Sequence, residues 1–236
     1  MASTDETLKK ALAALQSIRS GPIAIVGMSC RLPGADAPAA FWQRLLQGHD
    51  AVSPVPLDRW DADALFDPDP TASGKVVSRH GAFLADPWRF DADHFGISHR
   101  EALAMDPQQR LLLELAWHAL EDAALAPDQI KNEGVGVYVG VGLSDYGRRH
   151  FWSPDARRID AWGGTGTFSS VAAGRISYAL GLRGPALAVD TACSSSLVAI
   201  HLACQALRLR ECDAAIVGGV NLLLSPQPTV YFSRLR

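Results

Sequence analysis

The sequence predicts an α/β fold, and two observations carry that reading. Apolar runs rich in Val and Ile recur along the chain: "PIAIVGM" (22–28), "VGVYVGVG" (135–142), "ALAVD" (186–190) and "AAIVGGVNLLL" (214–224). They are continuous rather than alternating, which suits strands buried on both faces, as in parallel sheets. Helical patterns stand between them: "APAAFWQRLLQG" (37–48), "DPQQRLLLELAWHALEDAAL" (106–125) and "SSSLVAIHLACQALRLRE" (194–211). Alternation of this kind builds layered α/β domains.

Residues 4–19 place Leu8, Leu12, Leu15 and Ile18 on one stripe of an amphipathic helix, with charges on the other faces. Such a helix either packs on its own domain or pairs with another chain, as coiled-coil seams do. Between Asp50 and Arg100 the periodicity breaks into Pro, Asp and scattered aromatics, which predicts an irregular insertion at about 50–100. Its segment "DADALFDPDP" (61–70) is acidic but lacks the glycine and terminal glutamate of a calcium loop, and reads as a solvated loop. Asp106 is a candidate N-cap with Pro107 at the first helical position. From Ser194 to Ala203 the last helix carries no charge on any face, so burial all round is expected.

Composition narrows the function. With 48% hydrophobic and 20% charged residues, the 236-residue chain has the make-up of a globular protein with a substantial core. A net charge of -3 and no Lys/Arg block leave no electrostatic footprint for nucleic acid. The first twenty residues contain Asp5, Glu6, Lys9 and Lys10 and do not read as a signal peptide. The uncharged runs 191–207 and 214–233 carry Ser, His, Gln, Asn or Pro, so no membrane span and a cytoplasmic location are expected. Four cysteines (Cys30, Cys193, Cys204 and Cys212) show no C-x-x-C pair and suggest neither a disulfide framework nor a zinc site.

Cys193 alone sits at a strand-to-helix junction. There the unpaired N–H groups and the positive dipole end of the helix would favour thiolate and could hold a developing oxyanion. The competing reading, a small apolar residue in a core, stays open on position alone; Cys30, Cys204 and Cys212 keep it. No histidine supplies a partner by motif. His201 lies about 12 Å along the same helix, and His49, His80, His94, His99, His118 and His150 sit in loops or on helix surfaces. Ser194, Ser195 and Ser196 lack a G-x-S-x-G elbow and read as helix capping residues. The glycines at 163–166 and 139–143 lack nucleotide-binding spacing.

Five segments in order, "PIAIVGMSCRLPGA" (22–35), "AMDPQQRLLLELAWHALEDA" (104–123), "AAGRISYALGLRGPALAVDTA" (172–192), "VDTACSSSLVAIHLACQALR" (189–208) and "CDAAIVGGVNLLLSP" (212–226), resemble the β-ketoacyl synthase (ketosynthase) domain of modular type I polyketide synthases. The resemblance implies a thiolase-like fold, layered α/β/α/β/α, of which this chain is the N-terminal half, normally assembled as a homodimer. It implies that Cys193 accepts the growing acyl chain from the phosphopantetheine arm of an acyl carrier protein, its backbone N–H forming part of the oxyanion hole, with no cofactor bound directly and no metal. A malonyl-type extender would then lose carbon dioxide and attack the acyl-cysteine in a decarboxylative Claisen condensation. Residues 1–20 resemble a docking helix for an upstream synthase polypeptide, and 21–236 the N-terminal part of the synthase domain.

The two histidines and the lysine that the family uses for decarboxylation come from the second half of its fold, and this chain stops before them. The end at "TVYFSRLR" (229–236) is expected to close no element. In a half-fold by itself one side of the 194–203 helix would stay bare, an apolar patch, and the chain therefore reads as part of a domain, inactive in condensation without the remaining half. The alternative is a non-catalytic half-domain, either an interaction piece or one half of a split synthase that needs a second chain. Thr167 stands where relatives often carry asparagine, near the mouth of the acyl pocket. Arg148, Arg149, Arg157 and Arg158 form a basic cluster that could meet an acidic carrier protein, against a plainer reading as solvated surface charge.

Overall fold

A computed structural model describes residues 6–10, 12, 21–149 and 151–235. In chain order it contains α1 (Pro38–Leu46), β1 (Ser53–Pro54), α2 (Ala62–Leu65), β2 (His80–Gly81), α3 (His99–Ala104), α4 (Pro107–Asp122) and α5 (Pro127–Ile130). There follow β3 (Val135–Val141), α6 (Ala161–Thr167), α7 (Ser169–Leu180), β4 (Ala186–Val189), α8 (Ser195–Leu209), β5 (Ala214–Val220) and α9 (Gln227–Leu235). Residues 6–10 and 12 are also helical, with Leu8 and Leu12 exposed. Leu15 and Ile18 of the predicted stripe lie outside the described residues.

The centre is a parallel sheet in the order β4-β3-β5. All seven residues of β3 are buried, as its unbroken apolar run predicts. Its valines, Val135, Val137, Val139 and Val141, join a core with Leu112, Leu113 and Ala116 of α4 and Ala172, Ala173 and Ile176 of α7. The intervening Tyr138 packs instead with Ala199, Ala203 and Ala206 of α8 and with Cys212. Side chains alternate across a strand, so one strand supplies both cores and the sheet is sandwiched between helices. β4 and β5 are edge strands and are only partly buried.

Helix α4 begins as its sequence predicts. Asp106 accepts a hydrogen bond from the Gln108 N–H at 2.8 Å, and Pro107 occupies the first turn. Arg110 on this helix is 6% exposed and satisfies backbone carbonyls rather than a carboxylate. Its guanidinium donates to Met105 O (2.7 and 3.0 Å), Trp88 O (3.2 Å) and Tyr146 Oη (3.3 Å). Arg110→Met would leave those buried carbonyls without donors, and a loss of about 3 kcal/mol is expected. Urea unfolding measures it, and a parental midpoint would overturn it.

Three sequence expectations are corrected. Residues 22–28 form no strand, and Ile25 and Val26 are largely exposed. Both edges of β3 are already occupied, and the segment is instead anchored along α4. Met28 N–H donates to Asp122 Oδ2 (2.8 Å), Ser29 Oγ–H to Leu115 O (2.7 Å), and Arg31 pairs with Glu114 (3.0 Å). Helix α8 is covered on one side and bare on the other, as a half-fold by itself is expected to leave it: small Ala199, Ala203 and Ala206 face the sheet, whereas Leu197 is 69% exposed and Ile200 48%. The last apolar run leaves the sheet after Val220 rather than continuing to 224. Finally, "TVYFSRLR" lies largely within α9, where Ser233 Oγ accepts the Val77 N–H (3.2 Å) and Arg234 reaches the carbonyls of Pro70 and Thr71.

The 50–100 segment contains a two-residue antiparallel pair between β1 and β2. Acidic residues in 61–70 serve local turns. Asp61 caps α2 through the Ala64 N–H, and Asp69 accepts from both Thr71 N–H and Thr71 Oγ1.

Candidate active site

Cys193 lies in a one-turn 3-10 helix, Ala192–Ser194, between the end of β4 and the start of α8. It is exposed, which removes the core reading left open by the sequence. Cys212 is the cysteine that packs in a core, and burial pushes its thiol above the ordinary range. Cys30 is raised by burial, with the Asp36 carboxylate second, and Cys204 is half-buried.

The turn is tightly braced. Ala192 adopts φ 54°, a left-handed conformation uncommon for a residue with a Cβ. Its N–H donates to Asp190 Oδ1 (3.1 Å). Ser194 Oγ donates to Thr191 O (2.8 Å), and Ser195 Oγ donates to Ala192 O (2.7 Å) while accepting the Thr191 N–H (2.9 Å). The sequence predicts that the serines cap the helix. Instead the hydroxyls of Ser194 and Ser195 reach backward past the cysteine and hold Thr191 and Ala192, the two residues before it. Ser196 sits against the sheet.

Two glycines form the seat of this turn. Gly140 of β3 and Gly219 of β5 are directly paired across the ladder. A Cβ on Gly140 would lie 2.7 Å from the backbone of Ser195 and Ser196, and one on Gly219 2.8 Å from the Ser196 Cβ. The bare backbone lets the first turn of α8 rest on the carboxyl ends of the strands. In parallel α/β sheets that is where ligands bind. At this turn the Ser194 N–H donates to Thr191 O (3.3 Å) and the Ser195 N–H to Ala192 O. An exposed thiol at the start of a helix has the access and the positive dipole end that nucleophilic acyl transfer draws on.

No described histidine is hydrogen-bonded to Cys193. His201 is exposed on α8, His49 meets Arg44 (2.7 Å), and His94 stacks edge-on with Phe95 and Trp117. His80, His99 and His118 are exposed, and His150 lies outside the described residues. Thr167 is buried at the end of α6, its Oγ1 without a hydrogen-bond partner among the described residues. Of the basic cluster, Arg149 lies over the Trp88 and Tyr146 rings and Arg157 pairs with Asp155 (2.9 Å); all four arginines are exposed. Among the described residues no cluster of His, Cys, Asp and Glu could hold a metal ion.

Asp106 is 2% exposed, and burial pushes its carboxyl above the ordinary range. Hydrogen bonds from Ser144 and Gln108 oppose the rise, and the Asp145 carboxylate, itself raised by burial, adds to it. A carboxyl raised by folding favours the fold while protonated, and this contribution is lost as pH climbs through the folded value. Asp106→Asn keeps a capping oxygen and removes that loss. Relative to the parent, its urea midpoint is expected to rise between the ordinary carboxylate range and neutrality; parallel pH curves would contradict this.

In the sequence, Gln108, Gly140 and Gly219 stand out only as parts of helix and strand patterns. The meeting of Gly140 and Gly219 under the Cys193 turn follows from strand register, for which no local signal exists.

Comparison with known proteins places this geometry. Residues 20–236 match the family described as "Beta-ketoacyl synthase, N-terminal domain". The chain is 55% identical over 216 residues to a phenolphthiocerol/phthiocerol polyketide synthase of Mycobacterium tuberculosis, covering 90% of this chain and 12% of that protein. It is 52% identical over 217 residues to pikromycin polyketide synthase component PikAII of Streptomyces venezuelae, covering 91% of this chain and 6% of that one. Among solved structures, the oxazolomycin ketosynthase domain OzmH KS7 of Streptomyces albus superposes with a TM-score of 0.81 at 40% identity, over 89% of this chain and 36% of that one. A ketosynthase from module 6 of the bacillaene synthase of Bacillus subtilis gives 0.78 at 38% identity, over 90% and 34%. The chain thus spans about a third of these ketosynthase structures and a much smaller share of the polyketide synthases. A thiolase-like α/β fold and a match of this extent assign the chain to the β-ketoacyl synthase family, as the N-terminal part of a ketosynthase domain.

Proposed function

We propose that Cys193 is the acyl acceptor of a polyketide ketosynthase. Its thiolate attacks the carbonyl of an acyl thioester on the phosphopantetheine arm of a carrier protein. The backbone N–H of Cys193 supplies part of the hole that holds the resulting oxyanion. Collapse expels the phosphopantetheine thiolate, which takes up the proton that Cys193 gave up, and leaves the acyl group on Sγ. A malonyl-type extender then loses carbon dioxide, its carbanion attacks the acyl carbonyl, and the Cys193 thiolate leaves. This chain supplies the nucleophile and its seat; proton transfer and decarboxylation fall to residues outside it.

The observation that carries the reading is the exposed thiol on a braced turn at the carboxyl ends of parallel strands. It is tested by incubating the chain with an acyl-phosphopantetheine thioester and mapping the adduct by mass spectrometry. Acylation confined to the peptide bearing Cys193 supports it, and an adduct on Cys30 or Cys204 overturns it.

The exposed Leu197 and Ile200 on α8, with Leu187 of β4 and Val217 of β5 partly exposed, favour burial of this face against further protein. The occupant fitting the family is the remainder of the ketosynthase domain, in the same or a second polypeptide, within a homodimer. The amino-terminal helix would meet an upstream synthase polypeptide, and the setting would be the cytoplasm, where free thiols persist. If no partner completes the domain, the non-catalytic reading holds. Co-purification with the missing half, or its failure, decides between them.

A further inference from the structure

We infer that Gln108 is a positioning residue for Cys193, holding together the two strand ends beneath its turn; this rests on the acyl-accepting role proposed above. Gln108 is 3% exposed in the first turn of α4, and its side chain bridges two other elements. Nε2 donates to the Leu143 carbonyl (3.1 Å) and to Asp106 Oδ2 (3.3 Å), while Oε1 accepts the Leu222 N–H (3.3 Å).

The places of Leu143 and Leu222 give these bonds their meaning. The β3–β5 ladder ends at the Val141–Val220 pair, and each leucine lies two residues beyond its strand. There the chains have stopped bonding to one another, and a single amide serves both, its donor to one chain and its acceptor to the other. Three residues back on each chain are Gly140 and Gly219, the seat of the Cys193 turn. Next to Leu143, a Cβ on Gly142 would lie 3.5 Å from the Asp190 carboxylate, whose Oδ1 accepts the Ala192 N–H. The amide thus fixes the spacing of the two loops that support the cysteine from below and from its Asp190 side. A hydrocarbon at this position would remove the one side chain that joins the half-buried Leu143 carbonyl to the half-buried Leu222 N–H, and each strand end could then turn to water separately. Displacements of about 1 Å suffice to cost a reacting group much of its rate. Asp106 faces the amide from its own helix, with Asp145 and Arg148 beyond on the segment after β3.

The test compares the parent chain with Gln108→Met, Gln108→Glu and Leu120→Ala. Acylation of Cys193 is followed by mass against thioester concentration, and stability by urea. Gln108→Met is expected to lower the maximal acylation rate about tenfold with little change in the half-saturating concentration, since the seat moves and the thioester contacts do not. For Gln108→Glu, the rate relative to the parent should recover as pH falls, because a protonated carboxyl offers the same donor and acceptor whereas an ionised one cannot donate and meets Asp106. Leu120→Ala removes core packing about 18 Å along the same helix and should lower the urea midpoint while keeping the parental rate. A parental rate in Gln108→Met, no recovery of Gln108→Glu at low pH, or an equal loss in Leu120→Ala would each overturn the inference. If the parent itself is not acylated at Cys193, the acyl-accepting role fails. The rate of Cys193 alkylation by iodoacetamide in the same proteins then decides Gln108: a slower rate in Gln108→Met upholds positioning, and equal rates overturn it.

Discussion

Cys193→Ala is expected to take no acyl group from a thioester while unfolding at the parental urea midpoint. The side chain is exposed, and the bonds that brace its turn run between other residues, so its removal alters neither core nor turn. Exposed substitutions of this kind stay within about 0.5 kcal/mol. Chemistry loses everything, because no neighbouring group replaces the sulfur: Ser194 and Ser195 spend their hydroxyls on Thr191 and Ala192. Loss of a nucleophile typically lowers rates by on the order of a thousandfold or more. Cys193→Ser restores a nucleophilic atom at the same position, but one that ionises far less readily, and any acylation should be slow. Equal labelling of the parent and Cys193→Ala would remove the assignment altogether.

Gly140→Val is expected to damage stability and acylation together. A Cβ there would sit 2.7 Å from the Ser195 and Ser196 backbone, and backbone yields far less readily than the end of a flexible side chain. Helix α8 must lift from the strand ends, opening the Tyr138–Ala199–Ala203 contact and breaking the braces around Cys193. Overpacking and local strain of this size cost about 3 kcal/mol, and displacement of the turn about a hundredfold in acylation rate. Urea unfolding and intact-mass kinetics read the two separately. A variant with parental stability and rate would mean that the helix start does not rest on Gly140 in solution.

Much of the fold was legible because the local signals were redundant. The apolar run 135–142 reads as a buried strand, and the strand Val135–Val141 is buried at all seven residues. Asp106 and Pro107 marked the start of α4 because capping is a local contest for one N–H, settled within a few residues. Residues 22–28 misled because an apolar Val/Ile run reports the wish for burial, not the presence of a free strand edge. Here β4 and β5 occupy both edges of β3, and the run lies along α4 instead. The uncharged start of α8 asks for cover on every face, and this chain provides it on one, which leaves the bare apolar side expected of a half-fold.

The candidate site divides along the same line. By itself the sequence determined the α/β class, the helix that begins near Cys193 and, through five ordered segments, the ketosynthase family. Those properties depend on periodicity, caps and residue order, which are local or additive along the chain. Only the tertiary structure decided that Cys193 is exposed rather than buried, that the adjacent serines brace its turn, and that Gly140 and Gly219 together form its seat. It alone joined Gln108 to Leu143 and Leu222, 35 and 114 residues away. Exposure and hydrogen bonding across such separations are set by which strands pair and in what register. That choice minimises free energy over the whole chain, so no short segment encodes it.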